Sequence, residues 1–449
     1  MVCWKELWNS CFSRYNGIMK KGSAKSIWFV IALLIIFNCL GCKANTTNKD
    51  DKTAAFRKRE YIGTQETYGL YPGSLPCVGQ PQVVVIVIDF LDDGEFECSL
   101  DDINNRFFGI ENYKNGIQPI KGNDNDYFSL RDFYLRSSYG KLDIDGDVFY
   151  YTTRNGRSEY LDSREIIEEV MTFYDDQSIP WDLYDSNQDG YVDGLYFALL
   201  DYPDFSTPNF VEAADYERGS KKISQYAFIV GLGRGAPVSM IVHETVHLLG
   251  LPDVYSNVGL NDGGTGVNSV MDGPDYALGD LFTIMKCVFT WLHPQQVTKK
   301  GVNKITLTAL TEEPSCAIIF PHGNPENFNW LLVEYLTNSN NEFYSSVEAG
   351  GGLRIWRVTI DPVFFTEEAE FCRSPYIYLE SIHPAGVRDY FFYPGDSLTP
   401  NTELNSHYPT AFGAKQDGGI AVLQWQNSGI YLENIEIKNG KANFTVTIK

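Results

Sequence analysis

The hydrophobic positions of residues 61–300 predict both strands and helices. Three segments are continuously apolar or alternate with a period of two, as buried or half-buried strands do: 82–90, 141–151 and 194–200. Two segments repeat their apolar residues at helical spacing: 126–139 and 163–174. Gly140 follows the first of these and is expected to end its helix. The pattern therefore predicts an α/β (α+β) domain over residues 61–300.

From residue 301 onward the pattern changes. Short segments of alternating hydrophobicity are separated by Gly, Pro and Asn turns, and no helical period persists between them. The alternating segments are 304–309, 330–335, 353–359, 431–437 and 442–448. This pattern is typical of antiparallel sheets packed face to face. We therefore predict a β-sandwich-like C-terminal domain over residues 301–449.

The N-terminus has the composition of an export signal. Residues 27–37 are uniformly apolar and follow three lysines between positions 20 and 25. The run is too short to span a bilayer comfortably, and it matches the hydrophobic region of a signal peptide behind its basic region. Met19 is a better-placed start for such a signal than Met1. Residues 1–42 are therefore predicted to be a signal peptide.

The signal ends in Gly41 and Cys42, which resemble a bacterial lipobox. In a lipobox the cysteine is lipidated and becomes the mature N-terminus, so Cys42 is the predicted lipidation site. A plain signal peptide and an uncleaved anchor are the alternatives. Residues 43–60 are polar and are predicted to form a flexible tether. This interpretation predicts an exported protein, lipid-anchored at the bacterial outer membrane or cell surface.

The charge of the chain excludes one class of partner. Its 449 residues carry a formal net charge of −22. Without residues 1–42, there remain 31 basic and 57 acidic residues, which deepens the net charge to −26. Such a chain is repelled by nucleic-acid phosphates and by anionic lipid headgroups. We expect no nucleic-acid partner and no membrane contact beyond the lipid anchor.

The strongest chemical signal is a His-Glu-x-x-His motif in an apolar segment. Within a helix, His243 and His247 lie one turn apart on the same face and can reach one Zn²⁺ ion. Glu244 lies beside the first histidine, where it can take the proton of the attacking water. Gly250 lets the chain leave the helix sharply, so that Asp253 can return as the third ligand. The alternative is a helix with two hydrogen-bonded structural histidines.

The surroundings of the motif resemble those of the metzincin zinc peptidases. Gly250 and Asp253 stand at the metzincin offsets from the first histidine. The Ser-Val-Met-Asp sequence at 269–272 resembles the Met-turn, in which a methionine, Met271 in this chain, lies beneath the metal. Tyr276 follows this turn and is the candidate for a phenol that stabilises the oxyanion.

Residues 185–193 (Asp-Ser-Asn-Gln-Asp-Gly-Tyr-Val-Asp) have the ligand spacing of a calcium loop. The candidate ligand residues are Asp185, Asn187, Asp189, Tyr191 and Asp193. Gly190 stands where such loops turn, whereas Tyr196 takes the place of the bidentate Glu that usually ends them. The alternative is an Asp/Asn turn that caps the strand after it. Ca²⁺ is thus a candidate second metal.

Residues 243–255 resemble the immune inhibitor A family of secreted bacterial metallopeptidases. Further segments extend this resemblance to about residues 61–449: 133–142, 185–193, 271–294, 330–335, 352–356 and 393–396. The resemblance implies a metzincin-like zinc peptidase domain, followed by the family's β-rich domain. It also implies that both histidines and Asp253 bind Zn²⁺ and that Glu244 is the base.

Two departures from the family concern latency. Arg357 stands where relatives often carry a histidine, and residues 43–60 are shorter than the propeptide of some relatives. Cys77 is a candidate for masking zinc in a latent form. The alternatives are an inert thiol or a disulfide with Cys98.

These observations predict a lipid-anchored zinc endopeptidase that hydrolyses peptide bonds of extracellular proteins. Its partners are then protein or peptide substrates. One alternative is a catalytically inactive, peptidase-like lipoprotein that binds a host protein or glycan, and another is a structural surface protein that depends on calcium. The intact motif favours the enzyme, because an inactive relative has no need of a base beside its metal ligands.

Overall fold

A computed structural model describes residues 67–94, 98–110, 128–174, 179–251, 269–271, 280–309, 315–325, 329–337, 351–360, 377–382, 391–399 and 428–449. The described residues divide into two compact units, one before residue 292 and one from residue 292 onward. The described α-helices all lie in the first unit, and both units contain sheets. The chain is therefore a mixed α and β protein with few helices, which is compatible with the α+β class.

The first unit is built on a five-stranded mixed sheet. Its strands are β1 (Gln82–Asp89), β2 (Asp145–Thr152), β3 (Gly194–Leu199), β4 (Phe210–Arg218) and β5 (Lys221–Ile229). Their spatial order is β2-β1-β3-β5-β4. The first four in this order pair in parallel, whereas the edge strand β4 runs antiparallel to β5. The central strands β1 and β3 are buried on both faces, which explains their almost wholly apolar sequences.

The described residues of this unit form five α-helices: α1 (Leu100–Phe108), α2 (Leu130–Ser137), α3 (Ser163–Phe173), α4 (Val238–Leu248) and α5 (Thr283–Val288). The side chains of Ser99, Ser129 and Asp162 cap α1, α2 and α3 by accepting hydrogen bonds from backbone N–H groups of the first turn. Within the described part of the chain, none of the helices has the length and hydrophobicity that a membrane span requires.

Helices α3 and α4 lie on opposite faces of the sheet. Ile167 and Val170 of α3 belong to one hydrophobic core together with Phe197 of β3. The neighbouring residue Tyr196 points to the other face of the sheet, because side chains alternate along a strand. Its hydroxyl is hydrogen-bonded to Thr245 of α4. The sheet therefore separates the α3 core from the helix that carries the histidines.

The structure confirms the strands and helices that the hydrophobic pattern predicts for this unit, with small shifts at their ends. The three predicted strands correspond to β1, β2 and β3, and the two predicted helices correspond to α2 and α3. The pattern missed α1 and the hairpin of β4 and β5. The disulfide considered for Cys77 and Cys98 is not formed, and Cys77 is a buried thiol.

The described residues of the second unit form two sheets. Its strands are β6 (Gln295–Val297), β7 (Gly301–Thr308), β8 (Cys316–Ile319), β9 (Asn329–Leu336), β10 (Gly352–Ile360), β11 (Ile377–Ile382), β12 (Ile430–Lys438) and β13 (Lys441–Ile448). One sheet has the order β11-β10-β9-β8-β6, and the other has the order β12-β13-β7. Side chains from both sheets, among them Val333, Ile355, Leu432 and Val446, form a single hydrophobic core. The five predicted alternating segments lie on these strands, except that Ala309 lies one residue beyond the end of β7.

An ion-pair cluster lies at the carboxyl ends of the parallel strands of the first unit. Asp93 follows β1, Arg157 follows β2 and Asp201 follows β3. Arg157 pairs with Asp93 and lies 2.9 Å from Asp201, and Arg234 lies 2.6 Å from Asp201. Hydrogen bonds from Arg234, then from the Tyr202 backbone N–H and Arg157, lower the pKa of Asp201 to about 2. The ionised carboxylate therefore stabilises the folded state.

Acid should weaken the fold partly through Asp201. Its pKa is lower in the folded state than in the unfolded chain, so its contribution is present above about pH 4 and disappears as the pH falls toward 2. Between pH 7 and pH 2.5, we expect the free energy of unfolding of Asp201→Asn to fall by about 1–2 kcal/mol less than that of the wild type, as measured by urea unfolding. The exposed neighbour Asp204 supplies the control, Asp204→Asn. Equal acid sensitivity of wild type and Asp201→Asn would contradict the assignment.

Candidate metal centre

Helix α4 places the two motif histidines side by side. The imidazole rings of His243 and His247 have centroids 5.1 Å apart and planes inclined by 80°. Ten of the eleven residues from Val238 to Leu248 are buried, and the remaining one, His247, is partly exposed. Glu244 is 3% exposed, although it is a carboxylic acid. A charged residue is seldom buried to this extent unless it has partners or a function.

Backbone carbonyls orient both imidazoles. The Nδ1 atom of His243 lies 2.8 Å from the carbonyl oxygen of Val270, and Nδ1 of His247 lies 2.8 Å from that of Leu251. A carbonyl only accepts hydrogen bonds, so Nδ1 carries the proton in each neutral ring and Nε2 carries the lone pair. This is the arrangement of metal-ligating histidines, whose other ring nitrogen is held by an acceptor. The two side chains therefore fit a Zn²⁺ ion.

The structure brings residues 269–271 of the predicted Met-turn to His243. Val270, whose carbonyl holds His243, immediately precedes Met271. Met271 is completely buried, and its backbone N–H donates to the hydroxyl of Ser269. The segment 269–271 thus contacts the first histidine through its main chain and contributes an apolar side chain to the interior.

A glycine ends the helix and permits the contact with His247. Gly250 has φ = +101°, and its N–H donates to the carbonyl of His247. The chain then turns so that Leu251 presents its carbonyl to the His247 ring. A Cβ atom at position 250 would lie 2.6 Å from Cε1 of Tyr71. Burial of the Tyr71 hydroxyl raises its pKa to about 12. Both the backbone angle and the space demand glycine here.

We expect Gly250→Ala to destabilise the first unit by about 2–4 kcal/mol and to weaken zinc binding, because the clash moves the Leu251 carbonyl away from His247. Gly235→Ala is the matched control. Gly235 also has a positive φ of +84°, but a Cβ there meets nothing within 4 Å. Unfolding in urea and zinc titration measure the two effects. If both variants lost stability equally and bound zinc equally well, the contact with Tyr71 would have no part in shaping the site.

The back of α4 is held by buried hydroxyl groups that the sequence did not single out. The hydroxyl of Tyr134 on α2 donates to the carbonyl of Val242 at 2.9 Å. Tyr196 on β3 contacts Thr245 at 2.9 Å. In the sequence, the only signals for these residues are a threonine within an apolar helix and tyrosines in apolar segments.

The candidate calcium loop is closed by its own hydrogen bonds. Asp185 accepts from the backbone N–H groups of Asp189 and Gly190, and Asp189 accepts from Tyr191. The ammonium of Lys221 lies 2.6 Å from Oδ2 of Asp185. These are the bonds of an Asp/Asn turn, and a cation at Asp185 would compete with Lys221.

Two further candidate ligands of this loop differ in exposure. Asn187 accepts from the N–H of Asp189 at 3.3 Å near the surface. Asp193 is 3% exposed and accepts from the backbone N–H groups of Gln82 and Ser186. Burial is the main reason why the pKa of Asp193 rises to about 7, despite those hydrogen bonds. Calcium binding by this loop stays a prediction.

Three predicted site residues lie outside the described residues: the third ligand Asp253, the oxyanion candidate Tyr276 and the lipidation site Cys42. Among the described residues, no group of three or more His, Cys, Asp or Glu side chains is arranged to hold a metal. The described part of the site thus comprises His243, Glu244, His247 and Met271.

Comparisons with known proteins add no assignment to this geometry. No protein-family model matches the chain, and no curated protein matches it in sequence.

Proposed function

We propose that this chain is a zinc-dependent endopeptidase that hydrolyses peptide bonds of extracellular proteins. The observation that carries the proposal is the pair of imidazoles with Nδ1 on backbone carbonyls, next to a buried glutamate on the same helix. A mixed sheet with this helix packed on one face is compatible with a metzincin-like domain similar to the immune inhibitor A peptidases. Lipidation of Cys42 would keep the enzyme at the outer membrane or cell surface.

Each residue of the proposed site has a separate role. His243 and His247 would hold Zn²⁺ through Nε2, and Asp253 is the third ligand that we propose. When bound, zinc makes water a nucleophile near neutral pH and polarises the substrate carbonyl. The Val270 and Leu251 carbonyls keep both rings in the tautomer that binds metal.

Glu244 is the proposed general base. It follows His243 directly on α4, so its carboxylate belongs to the same part of the helix as the first ligand. It would take a proton from the attacking water and then give this proton to the amine that leaves the cleaved peptide bond. Its burial limits competition from bulk water for the carboxylate.

The proposal is tested with the full chain, purified in detergent, and fluorescently quenched casein. We expect cleavage that a chelator abolishes and that one equivalent of zinc restores. Zinc content is measured on the same samples. A folded chain that holds zinc and cleaves neither casein nor a broad peptide library would contradict the proposal and favour the peptidase-like binding protein.

A further inference from the structure

We propose that Tyr196 and Thr245 form a positioning pair that sets the rotation of α4 about its axis, and thereby the direction of its histidines and glutamate. This inference rests on the proposed function of the motif. Neither residue belongs to the motif's ligands or base, and both are completely buried. They act through the helix and do not touch the substrate.

Thr245 lies on the back of the helix. With 3.6 residues per turn, it is rotated by about 160° from both His243 and His247. It also follows Glu244 directly in the sequence. Any rotation of α4 that changes what Thr245 contacts must therefore also turn the two imidazoles and the carboxylate.

The hydrogen bonds of the pair have a definite direction. The Thr245 hydroxyl donates to the carbonyl of Ile241 at 2.6 Å. It has one proton, so in the 2.9 Å contact with Tyr196 the threonine oxygen accepts and the tyrosine hydroxyl donates. Burial raises the pKa of Tyr196, which keeps this phenol protonated. The two hydrogen bonds therefore run from Tyr196 on the central strand β3, through the hydroxyl of Thr245, to the backbone of α4.

Apolar packing alone would not fix this rotation as narrowly. The other residues on the back of α4, such as Ile241 and Val242, are buried and hydrophobic, and hydrophobic contact has no preferred direction. A hydrogen bond weakens steeply when its angle is poor. Tyr196 lies on β3 at the centre of the sheet, where this strand is paired on both sides. The hydrogen bond therefore fixes the rotation of the helix relative to a rigid part of the sheet.

The test is a double-mutant cycle of Tyr196→Phe and Thr245→Val in the full chain, purified in detergent. Thr245→Val alone leaves the buried Tyr196 hydroxyl without its acceptor, so this variant should be less stable in urea. Removing both hydroxyls leaves no unmatched polar group, so the double variant should regain nearly wild-type stability. We nevertheless expect its kcat for quenched casein to stay about tenfold low, with KM within about twofold.

Zinc affinity gives a second result that does not depend on turnover. We expect the double variant to bind zinc about tenfold more weakly than wild type, because misdirected imidazoles converge less well on one ion. The single variant Thr245→Ser keeps the hydroxyl, so its kcat and its zinc affinity should both stay at the wild-type level. Tyr174→Phe is the control, because it removes a buried hydroxyl that donates to the Tyr150 carbonyl in the α3 core, on the other side of the sheet.

The outcomes separate the two proposals. A double variant with wild-type stability, wild-type kcat and wild-type zinc affinity would show that the pair only stabilises the fold, and would overturn this inference. A wild-type chain that binds zinc but hydrolyses nothing would overturn the proposed function. In that case, zinc affinity of the double variant still decides whether the pair positions the histidines.

Discussion

Replacing Glu244 with alanine should lower kcat for quenched casein by about a thousandfold or more and leave zinc bound. The carboxylate is the only proposed group that takes the proton of the attacking water, and such general-base catalysis contributes about 10²–10⁴ to a rate. His243 and His247 should stay in place, because their Nδ1 atoms are held by the carbonyls of Val270 and Leu251.

The measurement is kcat together with zinc content on the same preparation. Glu168→Ala is the control, since Glu168 is an exposed glutamate on α3, on the opposite face of the sheet. It should leave both quantities unchanged. Undiminished hydrolysis by Glu244→Ala would refute the role of Glu244, and loss of zinc in this variant would mean that the carboxylate holds the site together.

A large loss of stability is expected from Lys286→Met. Lys286 on α5 is 1% exposed, pairs with Asp280 and donates to the hydroxyl of Tyr139 at 3.3 Å. The hydroxyl of Ser137 on α2 donates to the same Asp280 carboxylate. Removing the lysine leaves that carboxylate largely buried without its cation, which destabilises a protein by about 3 kcal/mol.

Urea unfolding measures this loss, and two variants show its origin. Arg164→Met removes the cation of an exposed ion pair with Asp162 and should change stability by less than about 0.5 kcal/mol. Asp280→Asn added to Lys286→Met removes the uncompensated charge and should recover part of the loss. A Lys286→Met protein as stable as wild type would show that the buried pair contributes nothing.

The hydrophobic pattern predicted the central elements of the first unit for a physical reason. Strands β1 and β3 are covered on both faces, so their sequences are continuous apolar runs, as expected for buried central strands. Helices α2 and α3 bury one face each, which gives their helical period. The alternating strands of the second unit share one core and were predicted on the same basis.

Elements at the periphery could not be predicted from hydrophobicity. The edge strand β4 has no fully buried residue, so its pattern carries no burial signal. The two-residue Gly219–Ser220 turn before β5 was the local indication of this hairpin. Helix α1 is polar on average, and its capping box at Ser99 and Asp102 was its clearest mark.

The candidate site was predictable to the extent that its spacing lies within one helix. His243, Glu244 and His247 are close in sequence, and the helix alone brings them together. The contacts of Thr245 with Tyr196 and of His243 with Val270 join residues 49 and 27 positions apart, so they follow only from the fold. The role of Asp253 stays a prediction from its offset.

The groups that hold the imidazoles are main-chain atoms, and this has a consequence for how the sequence can diverge. Val270 and Leu251 offer carbonyl oxygens that every amino acid possesses. Substitutions among apolar residues at these two positions therefore preserve ring orientation, provided that the backbone path is kept. Evolutionary drift at the periphery of the site is then limited by chain geometry and volume, while chemical identity is constrained at the histidines, the glutamate and the glycine that bends the chain.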